Sequence, residues 1–207
     1  MSTRKDHWER VYAERSEIDL SWFEAEPALS LRLIEALAGP EDAILDVGGG
    51  ASRLVDALLA RGYRSLGVLD IAGSALAASQ ARLGARAAGV HWIEVDVTDW
   101  TPDHQVAVWH DRAAFHFLTD ATARQAYFRT MADALIPGGH AIVATFAEDG
   151  PEICSGLPVQ RRSSEDLAAE VAAEVPGAFL PVASERHVHR TPSGAAQRFQ
   201  VSVFRRV

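Results

Sequence analysis

Ile44-Leu45-Asp46-Val47-Gly48-Gly49-Gly50-Ala51-Ser52-Arg53-Leu54 is the stretch that decides the fold. A short run of branched apolar residues ends in an acid, crosses consecutive glycines and enters a helical pattern over Ser52–Arg61. Glycines let the backbone turn sharply and let a ligand approach the main chain. The helix that follows offers free N–H groups at its start. A dinucleotide-binding G-x-G-x-x-G spacing would need glycine at position 53, where the chain has Arg53. Asp46, at the end of the strand, also fits badly beside a pyrophosphate. It suits a cationic amine.

Outward from this loop, short strand-like runs alternate with helical patterns. The strands are read at Ala43–Val47, Ser65–Asp70, His91–Val95, Val106–His110 and His140–Phe146. The helices between them are Gly73–Leu83 and Thr119–Leu135, with Lys5–Arg15 and Pro27–Ala38 upstream and Ser163–Ala173 downstream. This alternation predicts a parallel sheet with right-handed crossovers. Phe179–Val188 and Gln197–Arg205 read as two further strands around the turn residues Thr191, Pro192, Ser193 and Gly194. A terminal antiparallel hairpin replaces the sixth parallel strand of a dinucleotide fold. The expected fold is therefore α/β and Rossmann-like, a seven-stranded, mostly parallel sheet with that hairpin and helices on both faces. One domain spans 1–207: a helical lid (1–40), a ligand-binding core (41–147), then a loop, helix and hairpin (148–207).

Asp46, Asp70 and Asp96 fall at three successive strand ends, the side on which open sheets bind ligands. An acid at Asp70 can accept from both hydroxyls of a ribose. One at Asp96 can accept from an adenine amino group.

These motifs resemble the class I methyltransferases that use S-adenosyl-L-methionine. Asp46-Val47-Gly48-Gly49-Gly50 matches their first motif, with Ser52 where a further glycine is usual. Asp70 matches the ribose-binding acid and Asp96 the adenine-contacting acid. Leu135-Ile136-Pro137-Gly138-Gly139-His140 matches the turn before the fifth strand. Trp8-Glu9-Arg10-Val11-Tyr12, Ser21-Trp22-Phe23 and Trp109-His110-Asp111-Arg112 resemble a subgroup of small, single-domain bacterial members. The resemblance implies S-adenosyl-L-methionine as cofactor. It would be held by Asp46, Gly48, Gly49, Gly50, Ser52, Asp70, Ile71, Asp96, Val97, His110 and Trp22.

Methyl transfer from a sulfonium is an in-line displacement, so the acceptor must be aligned and water excluded. The fourth and fifth strand ends are left for the acceptor. His110 or Asp111 could orient it or take a proton, Arg112 could draw in an anion, and Cys154 in the loop 147–158 could line the pocket. The competing reading makes Asp111 and Arg112 a structural ion pair and Cys154 a small core residue. Trp8, Tyr12, Trp22 and Phe23 suit either ordinary packing or an aromatic lid over a cation.

Composition narrows the partners. A net charge of −8 over 207 residues weighs against a nucleic-acid substrate. The single cysteine excludes a disulfide within the chain and suits a reducing compartment. The charged start, Met1 to Arg15, lacks a signal-peptide core, and no apolar run is long enough to span a bilayer, so a cytoplasmic protein is expected. No histidine or cysteine cluster has metal-ligand spacing, and no metal site is expected. The leading function is methylation of a small molecule, with a thiol or other soft nucleophile as acceptor. The alternatives are protein lysine methylation and a non-catalytic cofactor-binding module. A nicotinamide oxidoreductase is disfavoured by Arg53 and the hairpin.

Overall fold

The pivot of the sheet is β1 (Ile44–Val47), whose four residues are all buried. In this computed structural model, which describes residues 3–207, β1 is preceded by α1 (Arg4–Glu14) and α2 (Ala28–Leu37). It is followed by α3 (Leu54–Ala60), β2 (Leu66–Asp70), α4 (Gly73–Leu83), β3 (Val90–Glu94) and β4 (Val106–Arg112). Next come α5 (Ala121–Ala134), β5 (Leu135–Phe146) and a small ladder, β6 (Ile153–Cys154) with β7 (Leu157–Pro158). The chain closes with α6 (Ser164–Glu174), β8 (Phe179–Arg190) and β9 (Ala196–Arg206).

The strand order is β3-β2-β1-β4-β5-β9-β8, a seven-stranded sheet. The first five strands pair in parallel, and β9 pairs antiparallel with both β5 and β8. The chain winds outward from β1 to β3, then returns to place β4 on the other side of β1. That reversal opens a crevice at the carboxyl ends of the strands. Apolar side chains of α2, α3 and α4, such as Ile34, Leu58 and Leu76, pack on one face of the sheet. Tyr127, Phe128 and Met131 of α5 and Leu167 and Val171 of α6 pack on the other. No helix among the described residues is long and apolar enough to cross a membrane.

Most boundaries shift by a residue or two from the sequence reading, the start of β5 shifts further, and the shift at the end of β4 matters. β5 starts at Leu135, because the segment 135–139 joins the ladder across a register shift opposite Val106/Val108. β4 continues through Asp111 and Arg112, which pair with Val143 and Ala144 of β5. Strand residues alternate between faces. That extra length fixes where His110, Asp111 and Arg112 point.

Candidate functional site

The crevice holds a cavity of about 840 Å³, counting its open mouth. At one end its wall is Val47 and Gly48 after β1, Asp70 and Ile71 after β2, and Asp96 and Val97 after β3. At the other end are Arg112 and Ala113 after β4, Phe146 of β5, Cys154 of β6, and Gln197 and Phe199 of β9.

The glycine loop is tight for a physical reason. Gly48 has φ +67°, and a Cβ there would lie 2.5 Å from the Cβ of Ala114. A Cβ on Gly50, at φ +39°, would lie 2.7 Å from Oδ2 of Asp70 and 2.8 Å from the Tyr12 hydroxyl. A Cβ on Gly49 would meet Oδ2 of Asp46 at 2.6 Å. Ser52 accepts from the N–H of Leu54 at 3.1 Å and leads into α3. Asp70 accepts from the N–H of Ala72 at 2.8 Å. Burial pushes its carboxyl up to about 7 despite that bond, and the neighbouring Asp46 adds to the rise.

The segment His110-Asp111-Arg112 does not act as a unit. His110 is buried, with Nδ1 2.7 Å from Oδ1 of Asp46 and Nε2 2.9 Å from the Ser30 hydroxyl. It braces Asp46 from the α2 side, and neither side chain lies on the cavity wall. The expectation that His110 faces the acceptor is corrected. Asp111 is corrected too. It is sealed on the α5 face, accepting from the N–H groups of Ala114 at 2.9 Å and Phe115 at 3.0 Å and from the Tyr127 hydroxyl at 2.8 Å. Burial raises its carboxyl to about 6. These bonds pin the turn after β4, where Ala113 adopts φ 71°, a conformation rarely tolerated outside glycine. Asp111 thus shapes the cavity floor from behind. It makes no ion pair with Arg112.

Arg112 does reach the cavity. Its Nη2 donates to the Trp22 carbonyl at 2.6 Å, while Nη1 is 3.8 Å from Glu24 and has no hydrogen-bond partner among the described residues. Glu24 is largely buried. Although burial opposes it, the bond from His189 and the charge of Arg112 hold its carboxyl below the usual range. His189 completes this anchor with Nε2 2.8 Å from the Ser21 carbonyl. Cys154 lies on the wall, and burial pushes its thiol up. His116 is sealed, and burial depresses it to about 3.

α1 covers the mouth. Trp8 packs edge-on against Phe117 at 4.9 Å and Trp22 at 5.8 Å, and Tyr12 lies 6.2 Å from Trp22. Phe23 faces away, under the Arg53 guanidinium. Polar contacts fasten α1 to the sheet. Arg4 meets Asp96 at 2.9 Å, Lys5 meets Glu94 at 2.5 Å, and Glu9 accepts from the N–H groups of Gly73 and Ser74 at 2.8 and 3.2 Å. The residues missed in the sequence are Arg4, Glu9, Glu24, His189, Gln197 and Phe199. Gln197 and Phe199 were discoverable, as alternate positions on a strand beside β5. The Glu24–His189 contact spans 165 positions and carries no local signal.

Residues 44–139 match a family described as a methyltransferase domain. No curated protein matches the chain. A structure solved in work on conversion of a disulfide bond into a thioacetal group during echinomycin biosynthesis is 20% identical, with TM-score 0.78, covering 98% of this chain and 92% of that one. An S-adenosyl-L-methionine-dependent methyltransferase from Anabaena variabilis is 16% identical, with TM-score 0.75 and coverage of 100% and 96%. The Burkholderia thailandensis 1,6-didemethyltoxoflavin N1-methyltransferase, bound to 1,6-didemethyltoxoflavin and S-adenosylhomocysteine, is 20% identical, with TM-score 0.69 and coverage of 95% and 81%. Residues 44–139 thus carry a match to a methyltransferase domain, and the chain as a whole shares the fold of S-adenosyl-L-methionine-dependent methyltransferases, with its crevice at the glycine loop.

Proposed function

We propose that this chain methylates a small molecule through a soft nucleophile, a thiol before others. One observation carries this reading: among the described residues, the cavity wall beside β4, β5 and β9 has no carboxylate and no histidine. The two carboxylates on the wall, Asp70 and Asp96, both lie at the β2–β3 end. Beside β4, β5 and β9 the wall offers Arg112, Cys154, Gln197 and aromatic rings. A hard nucleophile would need a proton acceptor there; a thiolate needs none. Arg112 favours an anionic acceptor.

The residues fit the cofactor. Gly48, Gly49 and Gly50 keep clear the space that side chains would fill. Asp70 would accept from the ribose hydroxyls, Asp96 and Val97 would meet the adenine, and Ile71 would pack beside the ribose. Asp46, braced by His110, supports the glycine loop at the amino-acid end, where Ser52 starts the helix. Trp22 and Trp8 offer ring faces to a sulfonium. When bound, the cofactor would supply an electrophilic methyl group to the acceptor. The chain's part is to align the two and exclude water, with α1 as cover.

Small acceptors also appear among the relatives in fold, as in the toxoflavin enzyme. Protein lysine methylation has less support, because the acceptor end presents Arg112 rather than an acidic groove. The test is a turnover screen with labelled S-adenosyl-L-methionine against small thiols, small amines and protein lysate. Transfer to thiols supports the reading; transfer only to lysate protein replaces it.

A further inference from the structure

At the other edge of the sheet, where the parallel strands begin, the fold gathers two imidazoles and a carboxylate. His91 is near the start of β3, while Asp103 and His104 belong to the loop that leads into β4. A shallow groove runs beside them, lined by Ala43, Ser65, Gly89 and Val106, all at or next to strand starts. The cofactor crevice occupies the opposite strand ends.

The rings of His91 and His104 lie 5.1 Å apart, tilted by 31°. Oδ1 of Asp103 is 2.7 Å from Nδ1 of His104. One ligand atom from each of the three residues falls within 4.8 Å of the other two. The ring of His91 has no hydrogen-bond partner among the described residues; its contact is the stack on His104. Nothing among the described residues therefore competes for its nitrogens. A tetrahedral ion with bonds of about 2.0–2.1 Å would draw the three atoms closer together. All three side chains are exposed, so small rotations supply that contraction. Arg64 borders the groove, but Glu41 pairs with it at 2.9 Å and offsets its charge.

We propose that His91, Asp103 and His104 form a surface site for a divalent transition-metal ion of the zinc, nickel or copper class, for which imidazole is a good ligand. The histidines set the affinity, Asp103 supplies the third ligand, and water completes the coordination. The ion ties the start of β3 to the loop before β4, so it stabilises the fold at a distance from the crevice. Linear spacing hid the site, because His91 and His104 become neighbours only when β3 and the following loop fold along the same edge.

The test is calorimetric titration of the untagged full chain with Zn²⁺. We expect one equivalent to bind with a low-micromolar dissociation constant. His91→Ala and His104→Ala should each weaken it beyond the ~10–100-fold typical of outer-shell changes. A melting curve gives a second readout. Saturating Zn²⁺ should raise Tm by several degrees in the wild type and leave both variants unmoved. Circular dichroism without metal shows whether each variant is folded. Absence of saturable binding up to millimolar Zn²⁺ overturns the proposal. So does one-equivalent binding that survives both histidine substitutions, which would mean an adventitious ion only.

Discussion

The Tyr127 hydroxyl donates a hydrogen bond to Oδ2 of Asp111 at 2.8 Å while accepting one from Nε1 of Trp109 at 2.9 Å. All three side chains are buried. This chain of bonds holds Asp111 away from the crevice, and with it the N–H groups of Ala114 and Phe115 that shape the cavity floor. Asp111→Ala should orphan those donors at about 1–3 kcal/mol each. At roughly 2–4 °C per kcal/mol for a chain of this size, Tm should fall by more than about 5 °C. Tyr127→Phe should cost less. Thermal melts of the two variants check this. An Asp111→Ala protein with unchanged Tm but lost turnover would put Asp111 back in the acceptor site.

At Gly48, sterics and backbone agree. A Cβ there meets Ala114 at 2.5 Å, and φ is +67°. Gly48→Ala should destabilise the fold by about 1–3 kcal/mol, the range of a strained conformation, and abolish measurable cofactor binding. Denaturant unfolding and calorimetry on one preparation read both. Wild-type affinity in a folded Gly48→Ala protein would remove the loop from the ligand site.

Much of this was legible before folding. The alternation of short apolar runs with helical patterns gives the parallel order, and Thr191-Pro192-Ser193-Gly194 marks the hairpin that ends it. The three strand-end acids are legible because their place depends only on where a strand stops. His110 and Asp111 were misread for the same reason. β4 was expected to stop at His110, but pairing of Asp111 and Arg112 with β5 extends it. Alternation then turns His110 towards Asp46, Asp111 towards Tyr127 and Arg112 into the cavity. The Glu24–His189–Arg112 anchor joins three distant segments and could not be read locally.

The α1 clasp is electrostatic and partly exposed. Arg4 is 39% and Asp96 19% exposed, so their pair is worth little alone, about 0–1 kcal/mol. With Lys5–Glu94 it should still set how long α1 stays closed. Arg4→Ala/Lys5→Ala should leave Tm nearly unchanged, raise amide exchange over Arg4–Glu14 and speed cofactor release. Exchange mass spectrometry and stopped-flow release measure this. Unchanged exchange in α1 would mean that the aromatic contacts of Trp8 hold it without the ion pairs.

Cys154 and Gln197 line the cavity from β6 and β9, and the proposed acceptor would lie beside them, apart from the acids after β2 and β3. Cys154→Ser and Gln197→Ala should therefore lower turnover by about tenfold or more while cofactor Kd changes little. Steady-state kinetics with the best acceptor from the screen, beside calorimetry, separates the two effects. A loss confined to cofactor affinity would move these residues to the other half of the cavity.

Asp70 anchors the cofactor site at the end of β2, and its burial gives cofactor binding a pH signature. Its carboxyl is raised to about 7 in the folded chain. The folded state thus keeps a proton that the unfolded chain loses near pH 4. The stability tied to that proton is full below pH 4 and lost as pH rises through about 7. Ribose hydroxyls donate best to the ionised form, so cofactor affinity should rise between about pH 6 and pH 8. The decisive measurement is calorimetric titration of the wild type and Asp70→Asn with S-adenosyl-L-methionine at pH 6 and pH 8. The wild type should bind at micromolar concentration, more tightly at the higher pH. Asp70→Asn should bind about ten- to a hundredfold more weakly, with a flatter pH dependence. Equal affinity in the two proteins at both pH values, or no binding by the wild type, would contradict this role of Asp70.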